Sequence, residues 1–203
     1  MENINYSLVL NGADFKEIKN LSKFIYFSLK KENFNISLLI KPLSNISNYS
    51  LTYSLIKIGQ FKSVSCSLDI NAIISLDYQS VLNYLPFINK DTLVFSSYSA
   101  FNVCNYFLAD NNFVTDKLRE KTNNIYKIPV EKIINLEIMG KNKVSPYIAL
   151  IGAFIAKSGL LDIDSVCLEI ALFSKNDAEK KNSIKAILAG YDYVMDDDDK
   201  TDN

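Results

Sequence analysis

Short, largely apolar runs constrain this chain more than any other feature: Ile36–Ile40 (ISLLI), Ala72–Leu76 (AIISL) and Thr92–Phe95 (TLVF). A strand that is apolar at successive positions buries both faces, as in a parallel sheet covered by helices. Asn5–Leu10 (NYSLVL) adds an earlier strand and Ile125–Ile128 (IYKI) a later one. Leu51–Ile58 alternates and reads as a strand with poorly separated faces, after a Ser- and Asn-rich loop over Ser44–Ser50. Between the first two strands, Ile18, Leu21, Phe24, Ile25 and Leu29 recur at helical spacing. Asp14 is the expected N-cap, Glu17 stands at the capping-box position, and Asn33 is the stop. The opening is therefore strand–helix–strand, with a helix long enough for a right-handed crossover.

Helices follow the same logic downstream. Asp77 should begin a short helix through Leu82 and Leu85 that ends near Pro86, and Pro129 another that reaches about Ile138. Ser145–Pro146 reads as an N-cap followed by proline at the first helical position, with Gly159 as the stop. Two more helices are expected over Asp162–Phe173 and from Asp177 to about Tyr193, and a long loop with a short helix over Ser99–Asn123. Residues 1–195 should form one domain. The end, residues 196–203 (DDDDKTDN), is expected to be a disordered acidic tail. It also resembles an enteropeptidase cleavage signal, so a native tail and an expression remnant both remain open.

Composition removes whole classes of chemistry. The 203 residues are 48% hydrophobic and 22% charged, enough for one sizeable core. The formal net charge of -1 carries no basic bias, so no nucleic-acid partner is expected. No apolar run approaches the roughly 20 residues of a membrane span. The longest, Pro146–Ala156, reads as a buried helix, so no membrane partner is expected. The polar Met1–Asn5 start carries no positive n-region; a secretory signal is not expected, and the cytoplasm is the expected location. Cys66, Cys104 and Cys167 lie far apart, which suits small core residues rather than a disulfide framework or an iron–sulfur site. With no histidine, Ser-His-Asp and Cys-His nucleophile systems cannot be built within the chain. No metal site and no catalytic residue are expected.

The ordered set of segments resembles the gamma-type subunits of 2-oxoacid:acceptor (pyruvate/ketoisovalerate:ferredoxin) oxidoreductases. Asn71–Ser97 looks like that family's strand ending in Leu-Asp, then a helix with Leu-Pro, then a strand with a small hydroxyl cluster. Ile125–Glu131 (IYKIPVE) is similar to its next strand and Ile-Pro turn. Asn142–Leu161 resembles its apolar helix with a Gly-Ala step, and Ala186–Tyr193 (AILAGYDY) its terminal Ala-Gly-Tyr helix. The resemblance runs over roughly residues 4 to 194 and implies an α/β, Rossmann-like, mostly parallel sheet flanked by helices, with a helical C-terminal third. It also implies partner subunits, thiamine-binding and ferredoxin-like. Thiamine diphosphate, iron–sulfur clusters and coenzyme A then belong to the complex, and this chain alone binds none of them.

At one place the chain departs from the pattern. The family carries a loop resembling Gly-x-Gly-Gln-Gly after the first strand, which implies cofactor contact at Asn11, Gly12 and Ala13 here. Only Gly12 remains of its glycines, and Asp14 puts a carboxylate where an anion would sit. The family's Arg-Gly-Gly segment is missing from Asn48–Tyr53, and Tyr147 stands where the family commonly has Asn. The function expected is a subunit of a 2-oxoacid oxidoreductase complex. The alternatives are a non-catalytic scaffold or assembly relative and a stand-alone nucleotide-binding module. Three lesser candidates are a basic cluster (Lys132, Lys141, Lys143), serines after a strand (Ser96, Ser97, Ser99) and an aromatic partner surface (Tyr49, Tyr53, Tyr98, Phe101). A solvated face is the preferred account of the first, and ordinary turn chemistry explains the second equally well.

Overall fold

The computed structural model describes residues 5–12, 14–43, 51–59, 69–76, 79–97, 111–137 and 144–201. Ala13, Tyr49, Cys66, Asp77, Tyr98, Ser99, Phe101, Cys104, Lys141 and Lys143 lie outside them. Six strands form one sheet: β1 (Tyr6–Gly12), β2 (Ile36–Leu43), β3 (Leu51–Ile58), β4 (Ala72–Ser75), β5 (Leu93–Ser97) and β6 (Ile125–Ile128), in the order β2-β3-β1-β4-β5-β6. The helices are α1 (Phe15–Lys31), α2 (Asn111–Arg119), α3 (Val130–Glu137), α4 (Tyr147–Ser158), α5 (Ile163–Phe173) and α6 (Asp177–Thr201). Gln79–Phe87, which contains Pro86, is a 3-10 helix.

The pairs β1–β4, β4–β5 and β5–β6 are parallel, whereas β3 runs antiparallel to both β1 and β2. Five strands therefore share a direction and β3 alone is reversed, so the sheet is mixed but mostly parallel. β1 and β2 run the same way, as a crossover requires, yet β3 lies between them. This corrects the expectation of a β2 buried on both faces. Placed at the sheet edge, it leaves Ile36 and Leu38 half-buried and Ser37 and Lys41 exposed. Pro42, which has no N–H to give a ladder, is tolerated there.

Strand alternation divides the interior in two. Leu8, Leu10, Ile74 and Phe95 face a larger core under α1, α4, α5 and α6. Val9, Leu55, Ile73 and Val94 face a smaller one that also takes Val81 from the 3-10 helix and Val114 and Leu118 from α2. On α1, the buried stripe Ile18, Leu21, Phe24, Ile25 and Leu29 is the one expected. Asp14 Oδ1 accepts from the Glu17 amide at 2.9 Å, a cap worth about 0.5–2 kcal/mol. Asn33, just past the helix end, has a φ of 61°, which Asn tolerates better than most residues. Lys31 at the end of α1 forms an ion pair with the buried Glu169 of α5.

Every residue of α4 from Tyr147 to Ile155 is buried. Ser145 Oγ accepts from the Tyr147 amide at 3.3 Å, Pro146 already has helical angles, and Gly159 closes the helix at φ 61°. One side of α4 lies on β4, β5 and β6; the other packs on α6. A Cβ on Gly152 would overlap the Ile187 carbonyl, and one on Gly190 would overlap the Ala149 carbonyl. The two helices thus meet backbone to backbone, each glycine facing the other helix. α5 begins at Asp162, whose Oδ2 accepts from the Ser165 amide at 2.8 Å. α6 is continuous to Thr201 and so takes in Asp196–Lys200, most of the segment expected to be disordered.

Replacing Gly152 or Gly190 with Ala should destabilise the protein by about 1–3 kcal/mol, because a backbone carbonyl cannot swing aside as a side chain would. Urea unfolding of the two variants measures this. An unchanged midpoint for both would mean that the helices can separate freely.

Candidate functional site

The strand register lines up polar residues at the carboxyl ends of the parallel strands. Tyr53 faces Asn11, Asn11 faces Ser75, Ser75 faces Ser96, and Ser96 faces Lys127. Asn11, Ser75, Ser96 and Lys127 continue the face begun by Val9, Ile73, Val94 and Ile125, so the row is the polar margin of the smaller core. From β1 the chain leaves to one face through α1. From β4 it leaves to the other through the 3-10 helix. Such a reversal is where open α/β sheets place their ligands.

The row is tied together by hydroxyls. Asn11 Nδ2 donates to Ser80 Oγ, and Ser80 Oγ lies 3.0 Å from Ser75 Oγ. Asn11, Ser75 and Ser96 are fully buried. Asn11 Oδ1 and Ser96 Oγ have no hydrogen-bond partner among the described residues. At the β6 end, Lys127 Nζ donates to Thr115 Oγ1 of α2 at 3.0 Å. Burial holds the Lys127 ammonium below its ordinary pKa, and the nearby Arg119 adds to the effect.

On the other face, α4 reaches the end of β1. The Tyr147 hydroxyl donates to the Asn11 carbonyl at 2.8 Å, a buried bond between residues 136 apart in sequence. A Cβ on Gly12 would overlap that hydroxyl and crowd Ile18 Cδ1. Gly12 is not among the positive-φ positions, which among the described residues are Asn33, Gly59 and Gly159. It is therefore required for space, not for backbone conformation. Glu17, the acidic member of the expected capping box, places Oε1 2.5 Å from Ser145 Oγ, just before α4. The end of β1 and the first turn of α1 are thus each joined to the start of α4 by one side-chain hydrogen bond.

Of the expected cofactor residues, Asn11 and Gly12 stand at this junction, and Ala13 is outside the described residues. Ser96 and Ser97 are both buried at the end of β5. Lys132 is exposed. Tyr53 is half-buried and packs against the smaller core rather than presenting a free aromatic surface. Sequence reasoning missed Ser75, Ser80, Thr115 and Lys127, which carry no spacing signal. Tyr147 stood out only as a departure from a family pattern. The described residues contain no group of three or more His, Cys, Asp or Glu side chains that could hold a metal ion. No helix among them is long and apolar enough to cross a membrane.

The fold built this way is that of the gamma subunits of keto/oxoacid oxidoreductases. The pyruvate oxidoreductase subunit PORC of Thermotoga maritima has a TM-score of 0.66 at 14% identity, over 93% of this chain and 96% of that one. The gamma subunit of the keto/oxoacid ferredoxin oxidoreductase of Geobacter sulfurreducens PCA gives 0.66 at 13%, over 95% and 98%. The 2-oxoglutarate:ferredoxin oxidoreductase of Magnetococcus marinus, whose structure holds 2-oxoglutarate, coenzyme A and succinyl-CoA, gives 0.71 at 10%, over 96% of this chain but 32% of that one. The chain belongs to the pyruvate ferredoxin/flavodoxin oxidoreductase family, whose model matches residues 44–193. No curated protein matches it in sequence.

Gly12→Ala should destabilise the protein by about 1–3 kcal/mol by overpacking against the Tyr147 hydroxyl. In a Tyr147→Ala background the same change should cost less, with a coupling of about 0.5–3 kcal/mol in a double-mutant cycle. Strict additivity would show that the two residues do not compete for one space. A separate expectation concerns Cys167, whose thiol pKa is raised by burial and then by Asp164 and Asp162. Its alkylation by iodoacetamide should be slower at pH 8 than that of a free cysteine and should rise at higher pH. Peptide mapping by mass spectrometry follows this residue apart from the other two cysteines.

Proposed function

We propose that this chain is a non-autonomous subunit of a 2-oxoacid:acceptor oxidoreductase complex. In that complex a 2-oxoacid is decarboxylated, its electrons pass to an acceptor, and the acyl group is transferred to coenzyme A. The observation that carries the reading is the family match over residues 44–193. The division of labour follows from what the chain lacks in sequence. It has no histidine for general base work and no cysteine cluster for an iron–sulfur centre. Thiamine diphosphate and iron–sulfur clusters would sit on partner chains, thiamine-binding and ferredoxin-like, and this domain would pack against them.

A surface suited to such packing exists on α1 and α5. Leu168 and Leu172 are 69% and 73% exposed, and Phe27 and Phe173, whose rings lie 5.9 Å apart, are each 46% exposed. An apolar patch of this kind on a soluble domain marks an interface. Lys16, Lys19, Lys23 and Lys30 are exposed on the same helix α1, so a partner surface acidic around an apolar centre would complement it.

One observation favours a second reading. The family match leaves out residues 1–43, the segment that holds the end of β1 and the start of α1, and the space beside Gly12 there is taken by the Tyr147 hydroxyl. This supports a scaffold or assembly relative that keeps the fold without a ligand site.

Native purification from the source organism separates the two. A complex containing thiamine-binding and ferredoxin-like chains with 2-oxoacid oxidation is expected, and this chain alone or with unrelated partners would leave the scaffold reading. Within such a complex, Leu168→Asp with Leu172→Asp should release this subunit on gel filtration while leaving its own unfolding transition unchanged, since both side chains are exposed.

A further inference from the structure

We propose that Tyr147 and Asp14 together replace an anionic ligand at the turn after β1, so that this turn is an internal lock and not a coenzyme pocket. The inference rests on the family membership of the chain, not on the existence of a complex. Coenzyme A is the anionic cofactor expected in the complex, and its pyrophosphate is the part a helix start would hold.

An anion site at the start of a helix needs three things: free amide donors, room for the anion beside the backbone, and no competing negative charge. Here the last two conditions fail and the first is reduced by one amide. The amide of Glu17 is taken by Asp14 Oδ1 at 2.9 Å. The space beside Gly12 is filled by the Tyr147 hydroxyl, which spends its proton on the Asn11 carbonyl at 2.8 Å. The first turn carries two carboxylates, Asp14 and Glu17, the second held at 2.5 Å by Ser145 Oγ. A pyrophosphate entering there would meet like charge and would have to displace a buried aromatic ring. Tyr147 is only 2% exposed, so that displacement would also open the larger core.

Tyr147 cannot simply turn away. It is the first residue of α4, whose next eight residues are buried, and its amide is held by Ser145 Oγ. The hydroxyl is thereby delivered to Gly12 by the packing of a whole helix. The glycine that would let a ligand approach the backbone serves instead to admit an internal hydroxyl.

The full chain alone provides the test. Coenzyme A and inorganic pyrophosphate are titrated into the 15N-labelled protein. The amides of Gly12, Asp14, Phe15, Lys16 and Glu17 are expected not to shift up to millimolar concentrations. Saturable shifts centred on those amides in the wild type would overturn the proposal. In the second arm, Asp14→Ser keeps a capping oxygen without its charge, and Tyr147→Asn withdraws the ring. The double variant should bind pyrophosphate at least tenfold more tightly than the wild type. A folded double variant with no gain would equally overturn the proposal, because other groups would then close the turn. If that variant does not fold, Asp14→Ser alone, altered only at an exposed cap, should still leave the site closed by Tyr147. Pyrophosphate shifts appearing in that single variant would refute the role given to the tyrosine. Co-purification with partner subunits reports on the proposed complex, and neither outcome there changes what these titrations mean.

Discussion

The close approach of α4 and α6 sets the position of almost everything else. Gly152 lies against the Ile187 carbonyl and Gly190 against the Ala149 carbonyl. At this separation the contact is made by backbone, and every side chain around it must fit into what is left. α4 is held down on β4, β5 and β6, and its residues from Tyr147 to Ile155 are wholly inside. A shift of α4 by a fraction of a turn would carry the Tyr147 hydroxyl off the Asn11 carbonyl. The chemistry of the β1 turn is therefore fixed by a helix pair whose sequence lies more than a hundred residues away, as the 136-residue span of that hydrogen bond indicates.

Asn11 is where the two faces of the sheet meet. Its carbonyl accepts from Tyr147 on the side of the larger core, while its side chain donates to Ser80 toward the smaller one. A buried amide is costly unless its groups are paired, so the serines Ser75 and Ser80 are part of what makes asparagine tolerable there. Asn11 Oδ1 and Ser96 Oγ remain without partners among the described residues. Residual polarity at the carboxyl end of the sheet thus lies on the smaller-core face, whereas the lock lies on the other.

Local signals in the sequence were read correctly where the physics is local. Asp14 caps its helix, Gly159 ends one in the left-handed region, and the apolar stripe of α1 is the one that its spacing implies. The apolar runs Ala72–Leu76 and Thr92–Phe95 did become central strands. ISLLI looked the same but became an edge, because β3 inserts between β2 and β1. Composition within a strand says that it can be buried, not which neighbour will bury it. The glycines of α4 and α6 were visible as motifs, but their cause, a contact between two backbones, exists only in three dimensions. The candidate site divides the same way. Asn11 and Gly12 were legible from the strand–turn–helix pattern, whereas Ser75, Ser80, Thr115 and Lys127 come together only through sheet register and helix placement.

Gly12 shows why a surviving residue is poor evidence for a surviving site. A glycine after the first strand of an α/β domain suggests close approach by a phosphate, and the resemblance to gamma-type subunits strengthens that suggestion. Here the approach is real, but the visitor is a tyrosine hydroxyl. Had Gly12 adopted a positive φ, the backbone conformation alone would have explained it; it does not. Steric need remains, and Tyr147 supplies it. Substitution at Gly12 would therefore be selected against whether or not any ligand binds, and the same holds for Gly152 and Gly190. In a fold whose ligand loop can be replaced by its own side chains, the residues that report on function are those that would be free to change if the ligand were absent. By that standard Asp14, exposed and needed only as a cap that serine or asparagine could supply equally well, says more about anion binding than the glycine beside it.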